Sequence, residues 1–465
     1  MPASRRYPSH HPGLQRFPPP SPHQGAFARQ HQQHLQEIMR RVFHPKRSIM
    51  PTFQDKHPRR TKPHCNGFTG ERFKHDNTFC AQLPDLPSAI AHAATTFPAP
   101  AAIFGPRPML YDEDHVLRSL RTTWQPVANA ASLAPGAVTG VTLLETELVL
   151  TRFADGRLLA ADVACPHKGA RLSAGCVRDG ELMCPYHGWR FDRNGACQSI
   201  PSLVEPNAAK QALAHLRTYA VQERYGFIWV QLDPTPAATG IVPSLPEVPE
   251  FEDSRWTYVV GPSMAFETGW RREVENYLDM THFAFAHATT LGKAADHRLP
   301  PMDIKEMPDG GFQMDAPFPA LTSPAEPPGK LQSAHHRSQR GYLPNFTTIR
   351  QTFTDGDERV LLHVPSPRTR TSCNVFWSLA ISPGFDGPPP ATQIEFAVRV
   401  LDEDRLMCEN QIPAEVPINP GRGGWGVLVM PGDRLANTFQ KQLRRWLTAH
   451  PAFVASTPNP TEISA

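Results

Sequence analysis

The chain has 465 residues, with 47 Lys and Arg against 44 Asp and Glu and a formal net charge of +3. That length allows two ordinary domains plus a tail, and so small a net charge gives no ground for a nucleic-acid partner. Eight cysteines in so long a chain exclude a disulfide-stapled scaffold, and an unpaired inventory of this kind fits a reducing cytoplasm.

Residues 1–108 do not read as folded protein. Met1 to His75 hold fourteen Lys and Arg against three acidic residues, Glu37, Asp55 and Glu71. Pro, His and Gln dominate, and apolar periodicity is missing, so the segment cannot offset its ordering entropy by burial. Three readings stand: a disordered basic tail, an Arg-rich and acid-poor transit peptide, or an upstream extension from a wrongly assigned start. The last is favoured, because Met109 directly precedes the patterned part of the chain. No secretory apolar region precedes it, and the Ala-rich stretch from Ile90 to Phe104 is interrupted by His92 and prolines, so no membrane span is expected.

The patterned part is strand-like in Val141–Leu144, Leu148–Thr151, Thr347–Arg350, Val360–Val364 and Gln393–Val400, with Gly and Pro clusters between. Two ligand pairs sit within it. Cys165-Pro-His167 and Cys184-Pro-Tyr-His187 are separated by sixteen residues, and each offers one thiolate and one imidazole. Two irons bridged by sulfide need this donor set, two thiolates on one iron and two imidazoles on the other. Zinc is the competing occupant, but zinc pairs run C-x-x-C followed by H-x3–5-H rather than mixing donors in each loop. Gly169 and Gly188 follow the pairs and permit the tight backbone turn a cluster requires. Pro166 and Pro185 stiffen the loops. Trp189 is placed to cover the cluster from water. The remaining cysteines, Cys65, Cys80, Cys176, Cys197, Cys373 and Cys408, form no such pairs.

The stretch Cys165-Pro-His-Lys-Gly-Ala … Cys184-Pro-Tyr-His-Gly-Trp189 resembles the Rieske [2Fe–2S] motif. The positions that carry a flanking disulfide in respiratory Rieske proteins are Ala170 and Tyr186 here, which points to the lower-potential branch fed by a nicotinamide-linked reductase. Downstream, Asn276-x-x-Asp279-x-x-His282-x4-His287 resembles the mononuclear-iron motif of Rieske non-haem iron oxygenases. Asp279 and His282 are three residues apart and share a helix face. His282 and His287 are five apart, about 140° around an ideal helix, so the helix expected over 269–288 should break near Phe283 to Ala286.

The resemblance covers roughly residues 110–450, from a strand at Trp124–Val127, through a strand at Glu223–Trp229, to an amphipathic helix at Asp433–Leu447. It implies an α+β chain: an all-β Rieske domain over 109–235, a linker near Pro234 to Pro249, and over 250–450 a catalytic domain of helix-grip type, a curved antiparallel sheet with helices on one face. It also implies that Cys165, His167, Cys184 and His187 hold a [2Fe–2S] cluster and that His282 and His287 hold Fe(II). Asp279, with Asn276 beside it, would link that iron to a cluster. A third, carboxylate ligand is expected in Leu401–Gln411. By similarity to vanillate-demethylase-type oxygenases it is Asp404, with Asp402, Glu403 and Glu409 as rivals.

The function so implied is that of a terminal oxygenase, using O2 and NAD(P)H-derived electrons to hydroxylate or O-demethylate an aromatic compound. Its partners would be an NAD(P)H-dependent reductase, with or without a ferredoxin, and two further copies of the chain in a homotrimer. The alternatives are oxidation of an N-methyl or aliphatic substrate, and a Rieske electron carrier without oxygenase activity.

Overall fold

The computed structural model describes residues 113–233, 244–291, 293–294, 299–317, 321–322, 334–418 and 430–449, all within one unit, Ala102–Ala465. The extension over 1–108, including the Ile90–Phe104 stretch, lies outside the described residues, as do Cys65, Cys80 and positions 234–243 of the expected linker.

Helix α1, Glu113–Leu120, is followed by strands β1 (Gln125–Asn129), β2 (Val138–Leu143), β3 (Thr146–Arg152) and β4 (Leu158–Asp162). Four short strands come next, β5 (Cys176–Arg178), β6 (Glu181–Met183), β7 (Arg190–Phe191) and β8 (Cys197–Ser199). Helix α2 (Ala208–Leu213) and the hairpin of β9 (Thr218–Arg224) and β10 (Phe227–Gln231) complete this part. The strands form a six-stranded sheet in the order β1-β10-β9-β4-β3-β2 and a four-stranded sheet in the order β5-β6-β7-β8. Alternation along β3 explains how the sheet has two buried faces. Leu148 and Leu150 enter one core, and Val149 between them enters another with Leu172, Leu182 and Phe191. The single strand expected over Glu223–Trp229 is a hairpin instead. Tyr225 (φ 56°) and Gly226 (φ 80°) take the left-handed conformation and reverse the chain between β9 and β10.

The second part opens with β11 (Thr257–Val260), β12 (Met264–Phe266) and helices α3 (Trp270–Leu278) and α4 (Phe283–Ala286). Strands β13 (Lys293–Ala294), β14 (Asp303–Glu306), β15 (Phe312–Pro317), β16 (Leu321–Thr322), β17 (Ala334–Tyr342), β18 (Phe346–Phe353), β19 (Glu358–Thr369) and β20 (Ser372–Ile381) follow. Helices α5 (Pro390–Glu409) and α6 (Arg434–Ala449) end it. Strands β11-β20-β19-β18-β17-β15-β14 form an antiparallel sheet, with β12 also paired to β20. Helices lie on one face. Helix α6 buries Leu435, Phe439, Leu443 and Leu447, one per turn, and each such side chain stabilises the fold by about 1.5–3 kcal/mol.

Helix α5 corrects the reading of Gln393–Val400 as a strand. Ile394, Phe396, Val398 and Val400 alternate because the helix is apolar on two sides. Ile394 and Leu401 enter the main core, while Phe396 and Val400 meet Phe353 and Phe385. Pro390 starts the helix, where its missing N–H costs nothing. The charged stretch at Leu401 is therefore the later half of this helix. Pro249–Phe251, at the end of the expected linker, is a 3-10 turn whose Phe251 is buried. Among the described residues no helix is long and apolar enough to cross a membrane.

Candidate metal centres

Two loops with the same backbone plan carry the first centre. In the loop between β4 and β5, Cys165 N donates to Ala170 O (2.9 Å) and Gly169 N to Cys165 O (2.8 Å). In the loop between β6 and β7, Cys184 N donates to Trp189 O (2.8 Å) and Gly188 N to Cys184 O (3.1 Å). Gly169 and Gly188 have φ of 69° and 68°, which an L side chain resists, so each loop needs glycine at this point. Both thiols are buried. The His167 and His187 rings are exposed, and their Nδ1 atoms lie 3.1 Å apart. Trp189 stacks flat on His167, with centroids 4.6 Å apart and planes 5° apart. Tyr186, 63% exposed, packs on His187.

The donor set suits a cluster. Burial, reinforced by neighbouring Cys184, pushes the Cys165 thiol up to about 11, so a bound metal ion is what would deprotonate it. Partial desolvation by its neighbours, then the charges of His187 and Lys168, lower the basicity of His167, which favours a neutral imidazole with a lone pair to give. Cys176, Cys197, Cys373 and Cys408 are free and belong to no such set.

The second centre forms where α3 stops. Asp279 leaves the helix in an extended conformation (φ −84°, ψ 138°), and its Oδ1 accepts from Thr281 N and Oγ1, both at 2.7 Å. That side-chain turn competes with the helix and ends it. The break thus falls at Asp279–Thr281 rather than at Phe283–Ala286, which is the one-turn helix α4. His282 and His287 flank that single turn, and their Nε2 atoms come within 3.1 Å of each other. Helix α5 brings Asp404, whose Oδ1 is 3.1 Å from His287 Nε2 and 3.5 Å from His282 Nε2.

Each ring is fixed from behind. His282 Nδ1 donates to Asp279 Oδ2 (3.1 Å), and His287 Nδ1 donates to Glu403 Oε2 (2.9 Å). With both Nδ1 protonated, the Nε2 lone pairs and the Asp404 carboxylate point at one spot, an arrangement that a cation stabilises. Asn276 Nδ2 donates to Asp404 Oδ1 at 2.7 Å. Burial opposes charge on Asp404, but His282, His287 and Asn276 outweigh it and hold the carboxyl far below the usual range. Burial likewise opposes charge on His282, yet Asp279 and Asp404 hold it up to about 9, a proton that a divalent cation would displace. Two imidazoles and one carboxylate on one face are the donor set of non-haem Fe(II).

Of the rival carboxylates, Asp402 pairs with Arg405, Glu409 accepts from Glu267 N, and Glu403 sits behind His287. The sequence reading placed Glu403 only as a rival ligand. Its neighbour Asp404 was the available signal, because adjacent helix positions point about 100° apart and reach different sides of one histidine. Thr289 and Thr290 hold the Glu403 carboxylate in turn.

Comparison with known proteins identifies the two domains. Residues 123–220 match the Rieske [2Fe–2S] domain, and residues 266–449 match the vanillate O-demethylase oxygenase C-terminal domain. The methylxanthine N3-demethylase NdmB of Pseudomonas putida is 32% identical over 322 residues, covering 67% of this chain and 85% of that protein. The chain is a Rieske non-haem iron oxygenase. As a Rieske oxygenase it is an oxidoreductase that incorporates oxygen from O2, with a [2Fe–2S] cluster and a mononuclear non-haem iron as cofactors. The solved structure of NdmB from P. putida CBB5 superposes with a TM-score of 0.58 at 28% identity, over 71% of this chain and 92% of that one. The dicamba O-demethylase oxygenase component of Stenotrophomonas maltophilia is 26% identical over 311 residues, 64% of this chain and 87% of that protein. The α+β architecture expected from sequence, an all-β Rieske domain before a sheet-rich catalytic domain, is the one observed.

Proposed function

We propose that this Rieske oxygenase removes a methyl group from an aromatic substrate as formaldehyde. The convergence of His282 Nε2, His287 Nε2 and Asp404 Oδ1, with Asp279 and Glu403 behind the two rings, carries the oxygenase part of the reading, and the demethylases among its relatives, NdmB and dicamba O-demethylase, favour a methyl group as the target. A cluster on Cys165, His167, Cys184 and His187 would supply single electrons, and Fe(II) on His282, His287 and Asp404 would supply O2 activation.

The residues around these sites have separable tasks. Burial of Cys165 and Cys184 keeps water from the thiolates, and two neutral imidazoles in place of thiolates lower the negative charge and raise the potential. Asp279 fixes the His282 tautomer and, 29% exposed, is open to a second donor such as a cluster histidine of a neighbouring chain. The expected homotrimer would make that pairing between neighbouring chains. Electrons would come from an NAD(P)H-dependent reductase, directly or through a ferredoxin. In balance, O2, two electrons and two protons convert an O- or N-methyl group to O–H or N–H, formaldehyde and water.

The test is steady-state turnover of the iron-loaded chain with NADH and a surrogate reductase, on methoxylated aromatic acids and N-methylated heterocycles. Formaldehyde equal to the O2 consumed supports demethylation. A hydroxylated ring with no formaldehyde makes the enzyme a ring hydroxylase.

A further inference from the structure

Both rings of the second centre are backed by a carboxylate, and each carboxylate is held by threonine. Glu403, behind His287, accepts from the hydroxyls of Thr289 and Thr290. Asp279, behind His282, has Thr281 as its other partner among the described residues. Asp279 Oδ1 accepts from Thr281 N and Thr281 Oγ1, both at 2.7 Å, and Oδ2 faces His282 Nδ1 at 3.1 Å. Rotation about the Cβ–Cγ bond of an aspartate exchanges its two equivalent oxygens. Two donors on Oδ1 remove that freedom and keep Oδ2 aimed at the ring. The bond from Thr281 N already makes the turn that ends α3, so the hydroxyl is a second donor on the same oxygen.

Thr281 is itself held by a distant part of the chain. Gly432 lies in the 3-10 turn Pro431–Asp433 that leads into α6. A Cβ on Gly432 would come within 2.9 Å of Thr281 Cγ2 and 3.3 Å of Leu299 Cδ1. The Thr281 methyl therefore occupies the room that a side chain at 432 would take. The turn cannot back away, because α6 is pinned to α3. The Phe439 and Trp270 rings meet with centroids 6.3 Å apart, and Gln440 Nε2 donates to Glu275 Oε1 at 2.8 Å. Thr281 Cγ2 and Oγ1 share one Cβ, so a single χ1 rotation moves both. Whatever pushes the methyl away from Gly432 swings the hydroxyl off Asp279.

Resting on the iron-site reading above, we propose that Thr281 is a positioning residue for the Asp279 carboxylate, and that the bare Cα of Gly432 sets its rotamer. The start of α6 thereby fixes the imidazole that His282 presents to Fe(II). A helix remote in sequence from every ligand takes part in shaping the site.

The test is Fe(II) titration of the full chain, with the cluster loaded and the mononuclear site stripped, in wild type, T281V, T281S, G432A and T281S/G432A. T281V keeps the shape and the backbone N–H but loses the hydroxyl. It should bind Fe(II) about 10-fold more weakly, the worth of one charge-assisted hydrogen bond. T281S keeps the hydroxyl and should stay within about 3-fold of wild type. G432A should weaken Fe(II) in the same direction as T281V. T281S/G432A lacks the clashing methyl and should recover the affinity of T281S, a coupling expected only of residues in contact. An unchanged cluster spectrum shows that each variant folds, and where T281V loses its cluster the effect of G432A in the two backgrounds decides.

Wild-type Fe(II) affinity in T281V overturns the proposal, and a lowered melting temperature beside it would mark the hydroxyl as merely structural. An equal loss in T281S and T281V, or an equal loss from G432A in both backgrounds, overturns it as well. Fe(II) lost in Asp404→Asn but held normally by T281V sinks this inference alone. No Fe(II) uptake by the wild type, or equal uptake by Asp404→Asn, sinks the iron-site reading and the inference with it.

Discussion

Glu403 Oε2 lies 2.9 Å from His287 Nδ1, while the other nitrogen of the same ring lies 3.1 Å from Asp404 Oδ1. Two successive residues of one helix therefore hold one histidine from both sides. Glu403→Gln should keep the fold and the cluster but lower iron affinity by about 10- to 100-fold, the usual cost of losing the partner behind a metal-binding histidine. Fe(II) titration of apoprotein, with the cluster absorbance as internal control, measures this directly.

Asp404→Asn should abolish iron retention at the mononuclear site and turnover, with the cluster spectrum unchanged. Asp402→Asn and Glu409→Gln should retain both, since those carboxylates face Arg405 and Glu267 N. Iron and acid-labile sulfide analysis of the three variants checks the choice. Iron loss in Asp402→Asn but not in Asp404→Asn would reverse it.

Asp279→Asn keeps a hydrogen-bonding side chain beside His282 and Thr281 but removes its charge. The cluster should stay loaded, and with Fe(II) supplied in excess turnover should still fall by about 100-fold or more, as expected when an interaction needed for the reaction is lost. Unchanged turnover would remove Asp279 from the electron path.

Gly188→Ala places a Cβ on a residue at φ 68°. The left-handed conformation costs an L residue about 1–2 kcal/mol, so the second cluster loop should loosen and cluster content should fall. Gly156→Ala, at φ 86° with open space around its Cβ, controls for the strain alone and should lower the melting temperature without cluster loss.

Local chemistry was the legible part of this sequence. The Cys–His pairs and the Asn276–His287 motif announce their donors because each is compressed into a few residues, and family resemblance singled out Asp404 from its neighbours. Geometry that depends on register was not legible. Arg337, Gln351 and Arg359 meet only because β17, β18 and β19 pair as they do, and nothing local links them. The α5 error has another cause. Apolar residues at alternate positions mark a half-buried strand, but a helix buried on two sides imitates that period, as Ile394 and Phe396 do. The helix break was expected four residues too late because the Asp279–Thr281 turn is a side-chain effect that periodicity does not register.

The most direct test is a single turnover of chemically reduced protein mixed with O2, with and without substrate, in wild type and Asp404→Asn. The predicted result is cluster reoxidation coupled to formaldehyde in the wild type with substrate, and no product in Asp404→Asn. Cluster reoxidation at the same rate in both proteins, independent of substrate and without product, would contradict the account and leave an electron carrier.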